Sequence, residues 1–344
     1  MAEKASKQTL TFLRAAEAGD EAKLKAEIEA KETDLNVRDD GNNTALHLSS
    51  YRGHTESVRI LLKAGADPSL GNENRDQPLH LAALANRLET IKVLTAEGSA
   101  WHSKISIEAE DAQGYCALHY ACGEGHEQVA RFLYTECKAS LQSRNKDGLT
   151  PLMCAVQQGH ATIVGSLVEF CPENVKETNK CGDSALHYAT ISESGVAMLR
   201  LLLKAGADPT LKNAEGNTAL HEAKVEKQHE CATLLDQITG ALTAAHIDTT
   251  DPVARQKVVN QVLSGGAVVS ASSPGISRTL ADNIDGAPPP SSRRQKSRFS
   301  SERAGMRVKT SIELAKEERQ QAAAQPAKPK PKSRIFSAGS NPVF

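Results

Sequence analysis

Histidine and cysteine are the residue types in this 344-residue chain that could transfer protons, attack substrates or bind metals. Eight of the eleven histidines recur at two kinds of position, after leucine (His47, His80, His119, His187, His221) or after glycine (His54, His126, His160). The other three, His102, His229 and His246, are isolated from one another. No nucleophile elbow, phosphate-binding glycine loop or metal-ligand pair accompanies any of them. We therefore predict that the chain is not an enzyme and uses no cofactor or metal.

The seven cysteines are odd in number and scattered along the sequence. None forms a Cys-x-x-Cys pair, the spacing typical of zinc and redox sites. Their pattern predicts buried free thiols in a reducing compartment. The N-terminal residues are charged throughout, and no apolar run approaches the roughly 18 residues of a membrane helix. We expect a protein without a membrane span, located in the cytoplasm and, as a second option, the nucleus.

The regular histidines belong to a short pattern that returns six times. Its copies are TALHLSSYRGH, QPLHLAALANR, CALHYACGEGH, TPLMCAVQQGH, SALHYATISES and TALHEAKVEKQ. The residue before each leucine lies at 45, 78, 117, 151, 185 and 219, which gives a period of 33 or 34 residues with one interval of 39. Over about residues 7–237 the chain resembles the ankyrin-repeat family. The resemblance implies that the eight regular histidines are structural, because in that family they hold hairpin loops and inter-repeat contacts by hydrogen bonds.

The residues of one copy explain why it should form two helices. Thr44 is suited to accept a hydrogen bond from an unpaired amide of the first turn. Gly53 ends the first helix in a left-handed conformation. Leu61 and Leu62 lie on the apolar side of the second helix, which Gly65 ends. Each such unit can bury its apolar side only by stacking on a neighbour.

We therefore predict an all-α ankyrin-repeat solenoid of about seven helix-turn-helix units, two of them caps, in residues 1–239. A mostly disordered tail, rich in Ser, Pro, Arg and Lys, is predicted for residues 240–344. The predicted units span about 7–38, 39–71, 72–110, 111–144, 145–178, 179–212 and 213–239.

The third unit departs from the pattern. Asn86 and Arg75 stand where glycines are expected, and asparagine tolerates the left-handed conformation well. An insertion of about six residues follows and contains the only tryptophan, Trp101. Trp101 either packs locally over an adjacent helix or serves as a binding anchor.

The tail carries three further predictions. Short helices are expected at 251–264, which would dock on the last repeat or bind a partner, and at 311–325, which would be solvated. Ser297, Ser301 and Ser337 each follow an arginine by three residues, as in sites of basophilic kinases. Residues 240–344 contain 16 Lys plus Arg against 8 Asp plus Glu, whereas residues 1–239 contain 25 against 34.

These features predict a non-catalytic adaptor or scaffold that binds another protein, not a small-molecule substrate. By resemblance the contact surface is the concave face, and the matching positions are Asp40, Asn43, Tyr51, Arg52, Asp76, Tyr115, Glu124, Leu149, Gln157, Gln158 and Asp183, with Trp101 added as the possible anchor. The alternative is a phospho-regulated signalling subunit whose basic tail docks on or regulates the acidic solenoid. Nucleic acid is not the expected partner, because aromatic residues are rare between the basic ones. We expect a monomer.

Overall fold

The computed structural model describes residues 2–30, 34–192, 194–247 and 251–265, with side chains from residue 9 onward. Within these residues the regular structure is helical, and strands are represented only by isolated β-bridges such as Arg38 with Thr44. Seven first helices alternate with seven second helices in this part of the chain. The first helices are α1 (Ala2–Ala18), α3 (Ala45–Arg52), α5 (Pro78–Leu84), α7 (Ala117–Gly123), α9 (Pro151–Gln157), α11 (Ala185–Ala189) and α13 (Ala219–Val225). The second helices are α2 (Glu21–Glu29), α4 (Thr55–Ala64), α6 (Leu88–Leu94), α8 (Glu127–Thr135), α10 (Ala161–Phe170), α12 (Gly195–Lys204) and α14 (His229–Ala244).

The helices form two layers, because each first helix packs on the first helix of the next unit and the second helices do the same. The leucine of the repeated pattern supplies the core between them. Leu46, Leu118 and Leu186 are each fully buried, at 0% exposure. The structure is the all-α repeat solenoid that the sequence predicts.

Left-handed residues end many of the helices. Gly53 has a φ of 82° and its N–H reaches the carbonyls of Ser49 and Ser50, which closes α3 as predicted. Asn86 and Arg75 adopt the same conformation, with φ values of 59° and 62°. The third unit therefore keeps the backbone of the others although it lacks their glycines. Asparagine is among the non-glycine residues for which this conformation is least costly.

The predicted end of the solenoid at residue 239 is too early. Helix α14 continues to Ala244, and a further helix, α15 (Pro252–Leu263), packs on both α12 and α14. Val258 and Val259 are buried at 7% and 0% exposure. Of the two roles left open for this segment, the structure shows docking on the last repeats.

Trp101 lies in the insertion, next to a short 3-10 helix at His102–Lys104. Its ring is half-buried, and the indole Nε1–H donates to the Val93 carbonyl of α6 at 3.2 Å. Trp101 therefore packs locally on α6, which is the first of the two roles predicted for it. None of the described helices is long and apolar enough to cross a bilayer. Ser297, Ser301, Ser337 and the helix at 311–325 lie outside the described residues.

Candidate protein-binding face

The regular histidines connect neighbouring units in two directions. The ring that follows leucine reaches forward: His47 Nε2 lies 2.9 Å from the Asp76 carbonyl, and His119 Nε2 lies 3.0 Å from that of Leu149. The ring that follows glycine reaches back, as His126 Nε2 does to the Leu84 carbonyl at 2.9 Å. His80, His187, His54 and His160 make the equivalent bonds. The structural role predicted for these residues is confirmed for seven of the eight.

His221 is the exception and is exposed. The seventh unit has no following unit whose carbonyl could accept from its ring. The first turn of this unit is capped by the Thr218 hydroxyl, which accepts from the backbone N–H of His221 at 3.3 Å. The fifth unit, in which Met153 replaces the histidine, is capped in the same way by the Thr150 hydroxyl. In the second unit Thr44 and His47 form a capping box, with the Thr44 N–H directed at His47 Nδ1.

The side chains of His47, His119, Cys122 and Cys154 are buried and neutral at physiological pH. Burial lowers the pKa of His47 and of His119 to about 4. Because Nδ1 of each ring accepts an N–H bond, Nε2 carries the hydrogen and donates to the next unit. Burial raises the pKa of the Cys154 thiol to about 12 and that of Cys122 well above its ordinary value. These side chains hold the scaffold together and are not poised for nucleophilic or acid-base chemistry.

The hairpin tips between units are built around one Asn or Asp side chain each. In the fourth-to-fifth tip, Asn145 Oδ1 accepts from the N–H groups of Asp147 and Leu149 at 2.9 and 2.8 Å. The side chains that accept the same pair of hydrogen bonds in the other tips are Asp39, Asn72, Asp111, Asn179 and Asn213. Successive tips are also linked through the backbone, for example by Lys180 N–H to the Asp147 carbonyl at 3.0 Å. These six residues were missed in the sequence, although their spacing of 33, 39, 34, 34 and 34 residues is that of the repeat.

Five of the predicted contact residues form a row along the ends of the first helices. Tyr51 and Arg52 end α3, Glu124 follows α7, Gln157 ends α9 and Gln158 follows it. All are at least partly exposed. Because their units stack in register, these positions lie on one side of the molecule. We call this row, together with the tip residues Asp40, Tyr115 and Asp183, the first-helix face.

Three members of the face are in contact with other side chains. Arg52 Nη2 pairs with Glu17 Oε1 of the preceding unit at 2.6 Å, and its guanidinium lies 5.9 Å from the Tyr51 ring centre. Arg52 is about one third exposed, so this ion pair is partly screened by water. Tyr115 is half-buried with its ring edge-on to His119, and burial raises the pKa of its phenol. Asp183 accepts from Asn213 Nδ2 at 2.8 Å.

Three predicted contact residues are buried and are removed from the face. Asn43 is 1% exposed, and its amide oxygen accepts from Asn72 Nδ2 at 3.1 Å. Asp76 is 3% exposed, and its carboxyl group lies against the Tyr120 hydroxyl. Leu149 is 5% exposed. Tyr115 and Asp183 occupy the same repeat position but are half-exposed, so burial at this position differs from unit to unit.

Comparison with known proteins agrees with this architecture. The sequence model described as "Ankyrin repeats (3 copies)" matches residues 12–105, 102–170 and 163–241, about two thirds of the chain. The chain belongs to the ankyrin-repeat family. Ankyrin repeats are protein-interaction modules, and the family is generally non-catalytic.

Curated proteins with similar sequences match only part of this chain. The transient receptor potential cation channel subfamily A member 1 homolog of Caenorhabditis elegans is 30% identical over 129 residues, which cover 30% of this chain and 11% of the relative. The human channel protein of that name is 34% identical over 99 residues, covering 29% and 8%. Mouse NF-kappa-B inhibitor alpha is 32% identical over 101 residues, covering 29% and 32%. The chain thus spans about a third or less of the length of these relatives.

Proposed function

We propose that this chain is a non-catalytic adaptor that binds a partner protein through the first-helix face. The observation that carries the proposal is that side chains capable of chemistry and exposed side chains lie in different parts of the molecule. Side chains capable of chemistry are turned inward and hydrogen-bonded between units, as His47 and His119 are. Exposed polar and aromatic side chains recur on a scaffold whose tips are fixed by backbone bonds. Such a rigid row favours binding, because little conformational entropy is lost when a partner contacts it.

The relatives support a binding role in general terms only. The name NF-kappa-B inhibitor alpha describes an inhibitor, a role exerted on another molecule. The matched part of each relative consists of the same kind of repeat as in this chain. Tyr51 and Arg52 are the residues that we propose contribute most, because aromatic and arginine side chains are over-represented at interface hot spots.

The proposal predicts that Tyr51→Ala combined with Gln158→Ala abolishes recovery of partners in affinity purification while helical content is unchanged. A matched control is Arg131→Ala with Arg200→Ala, two exposed residues of the second-helix layer. Quantitative mass spectrometry of the captured proteins would compare both variants with the natural chain. Equal losses in the two variants, or unchanged recovery in the first, would count against the first-helix face.

A second candidate function rests on charge. The acidic residues 1–239 and the basic residues 240–344 carry opposite net charges of nearly equal size, so the tail is a candidate ligand of the solenoid. Hydrogen exchange of the full chain and of residues 1–265 would compare protection of peptides around Tyr51 and Gln157. If the tail regulates the solenoid by docking, these peptides lose protection in the shorter chain and in high salt. Identical exchange in both chains would eliminate this function.

A further inference from the structure

A buried cluster of three side chains joins the third and fourth units. The Tyr120 hydroxyl lies 2.6 Å from Asp111 Oδ2 and 3.0 Å from Asp76 Oδ1. Asp76 and Asp111 are only 3% and 4% exposed. A phenol has one hydrogen and can donate it to one carboxylate only. The second carboxylate would then face the phenol oxygen across 3.0 Å with lone pairs on both sides, unless it carries a proton itself.

The remaining contacts distinguish the two carboxyl groups. Asp111 Oδ1 accepts from the N–H groups of Gln113 and Tyr115 at 2.7 and 2.9 Å, which stabilises a negative charge. The Asp76 carboxyl group has a weaker contact of this kind, from Asn72 Nδ2 at 3.3 Å. We propose that Asp76 is a neutral carboxylic acid that donates to Tyr120, which donates to Asp111, and that this proton holds the third and fourth units together.

Among the described residues no Lys or Arg forms an ion pair with Asp76 or Asp111 that could replace the proton. The titratable groups close to Asp76 in the described part of the chain include His80, Asp111 and Tyr120, together with His47, whose neutral ring lies 2.9 Å from the Asp76 carbonyl. His80 Nδ1 accepts from the Gln77 N–H at 3.0 Å and its Nε2 lies 2.8 Å from the Ala109 carbonyl, which is the arrangement of a neutral ring. Burial lowers the pKa of His80, and burial, with the charge of Asp111 added, raises the pKa of Asp76.

The sixth unit offers an internal comparison. Tyr188 occupies the repeat position of Tyr120, and Asn179 occupies that of Asp111. Asn179 Nδ2 donates to the Tyr188 hydroxyl oxygen at 2.7 Å, so this contact needs no protonated carboxyl group. The residue equivalent to Asp76 there is Leu149. The buried pair of carboxyl groups is thus a feature of one joint, the one beside the insertion, within the described part of the chain.

The proton makes this joint sensitive to pH in a direction opposite to that of the histidines. An acid whose pKa is raised by folding stabilises the fold below its ordinary value of 3.8 and loses that contribution as the pH rises to its folded value. At higher pH an unpaired charge stays beside Asp111. Ionisation therefore weakens the joint between the third and fourth units.

The test compares urea unfolding of the full chain with that of D76N, D111N and the control D183N, from pH 4.5 to 8. Asp183 shares the repeat position of Asp76 but is half-exposed. We expect the unfolding constant of the natural chain, relative to D76N, to rise about tenfold per pH unit up to the folded pKa of Asp76. The pH dependence that the histidines cause cancels in this ratio, because the natural chain and D76N contain the same histidines. D111N should remove the same pH dependence, because the phenol can then donate to an ionised Asp76, whereas D183N should follow the natural chain.

Infrared spectroscopy provides a readout that does not depend on stability. The natural chain should show the carbonyl band of a buried carboxylic acid, and D76N and D111N should lose it. If the ratio of the unfolding constants of the natural chain and D76N stays constant with pH, or if the natural chain lacks this band, the proposal is overturned. Should D76N fail to fold, the band and the pH profile of D111N decide the question.

Discussion

At the level of single residues, neighbouring units are joined by side chains whose reactive atoms are occupied by hydrogen bonds. His47 is fully buried and bonds at both ring nitrogens. A charged imidazolium at this site would leave Nδ1 with a hydrogen that faces the Thr44 N–H. The neutral ring is therefore a condition for the joint between units.

Acid should weaken the solenoid through these rings. Folding lowers the pKa of His47 and His119 from 6.5 to about 4, so the unfolded chain takes up protons first as the pH falls. The stabilisation contributed by these two rings is fully present above pH 6.5 and is lost between pH 6.5 and 4, by roughly 3 kcal/mol for each ring. Urea unfolding across this range measures the slope, which His47→Gln should reduce and the exposed-site control His221→Gln should not. A free energy of unfolding that is flat between pH 6.5 and 4.5 would contradict the assignment.

The tip residues give a second prediction at this scale. Asn145→Ala removes the acceptor of one buried and one partly buried N–H group and should cost roughly 2 to 4 kcal/mol. Asn145→Asp is the matched control, because Asp39 and Asp111 make the same bonds in their own tips. Thermal unfolding would rank the variants. Equal losses in both would show that the side-chain oxygen is not what holds the tip.

Sequence reasoning at the residue scale succeeded where a position has one physical requirement. The left-handed Gly53 and the histidines follow from backbone conformation and from the repeat period. It failed for Asn43, Asp76 and Leu149, because whether a tip residue points outward or under the next unit depends on stacking between units. The Asp76–Tyr120 bond joins residues 44 positions apart, which a local pattern does not reveal.

At the level of elements, α15 extends the folded part of the chain beyond the repeats. Arg255 is 8% exposed and its Nη1 pairs with Asp208 Oδ2 at 2.7 Å. Gln256 Nε2 donates to the Leu203 carbonyl at 2.8 Å, near the C-terminus of α12. The Asp251 cap and Pro252 were enough to predict the helix, but its partners are not local: Asp208 lies 47 positions before Arg255.

The docking of α15 can be tested with two valines of the same helix. Val259→Ala should cost about 2 kcal/mol, because Val259 is fully buried and its loss leaves a cavity. Val253→Ala is the control, since Val253 is 64% exposed and should change stability by less than about 0.5 kcal/mol. Chemical denaturation of the full chain measures both. Equal effects would mean that α15 does not pack on the last repeats as described.

At the level of the whole molecule, the repeat period determines the architecture and leaves the partner open. Stacking seven similar units produces a long first-helix face whose backbone is shared, while its side chains differ from unit to unit, from Tyr51 to Gln157. The fold could be predicted because each unit repeats the same apolar spacing. The partner could not, because specificity depends on which exposed residues occupy the equivalent positions.

The most direct test of the central claim is site-specific photo-crosslinking in cells. A photoreactive amino acid would replace Gln158 on the first-helix face or, in a separate variant, Arg200 on the second-helix layer, both of which are exposed. The account predicts a discrete crosslinked protein partner from position 158 and none of comparable yield from position 200. Crosslinks from position 200 alone, or equally from both positions, would contradict binding through the first-helix face.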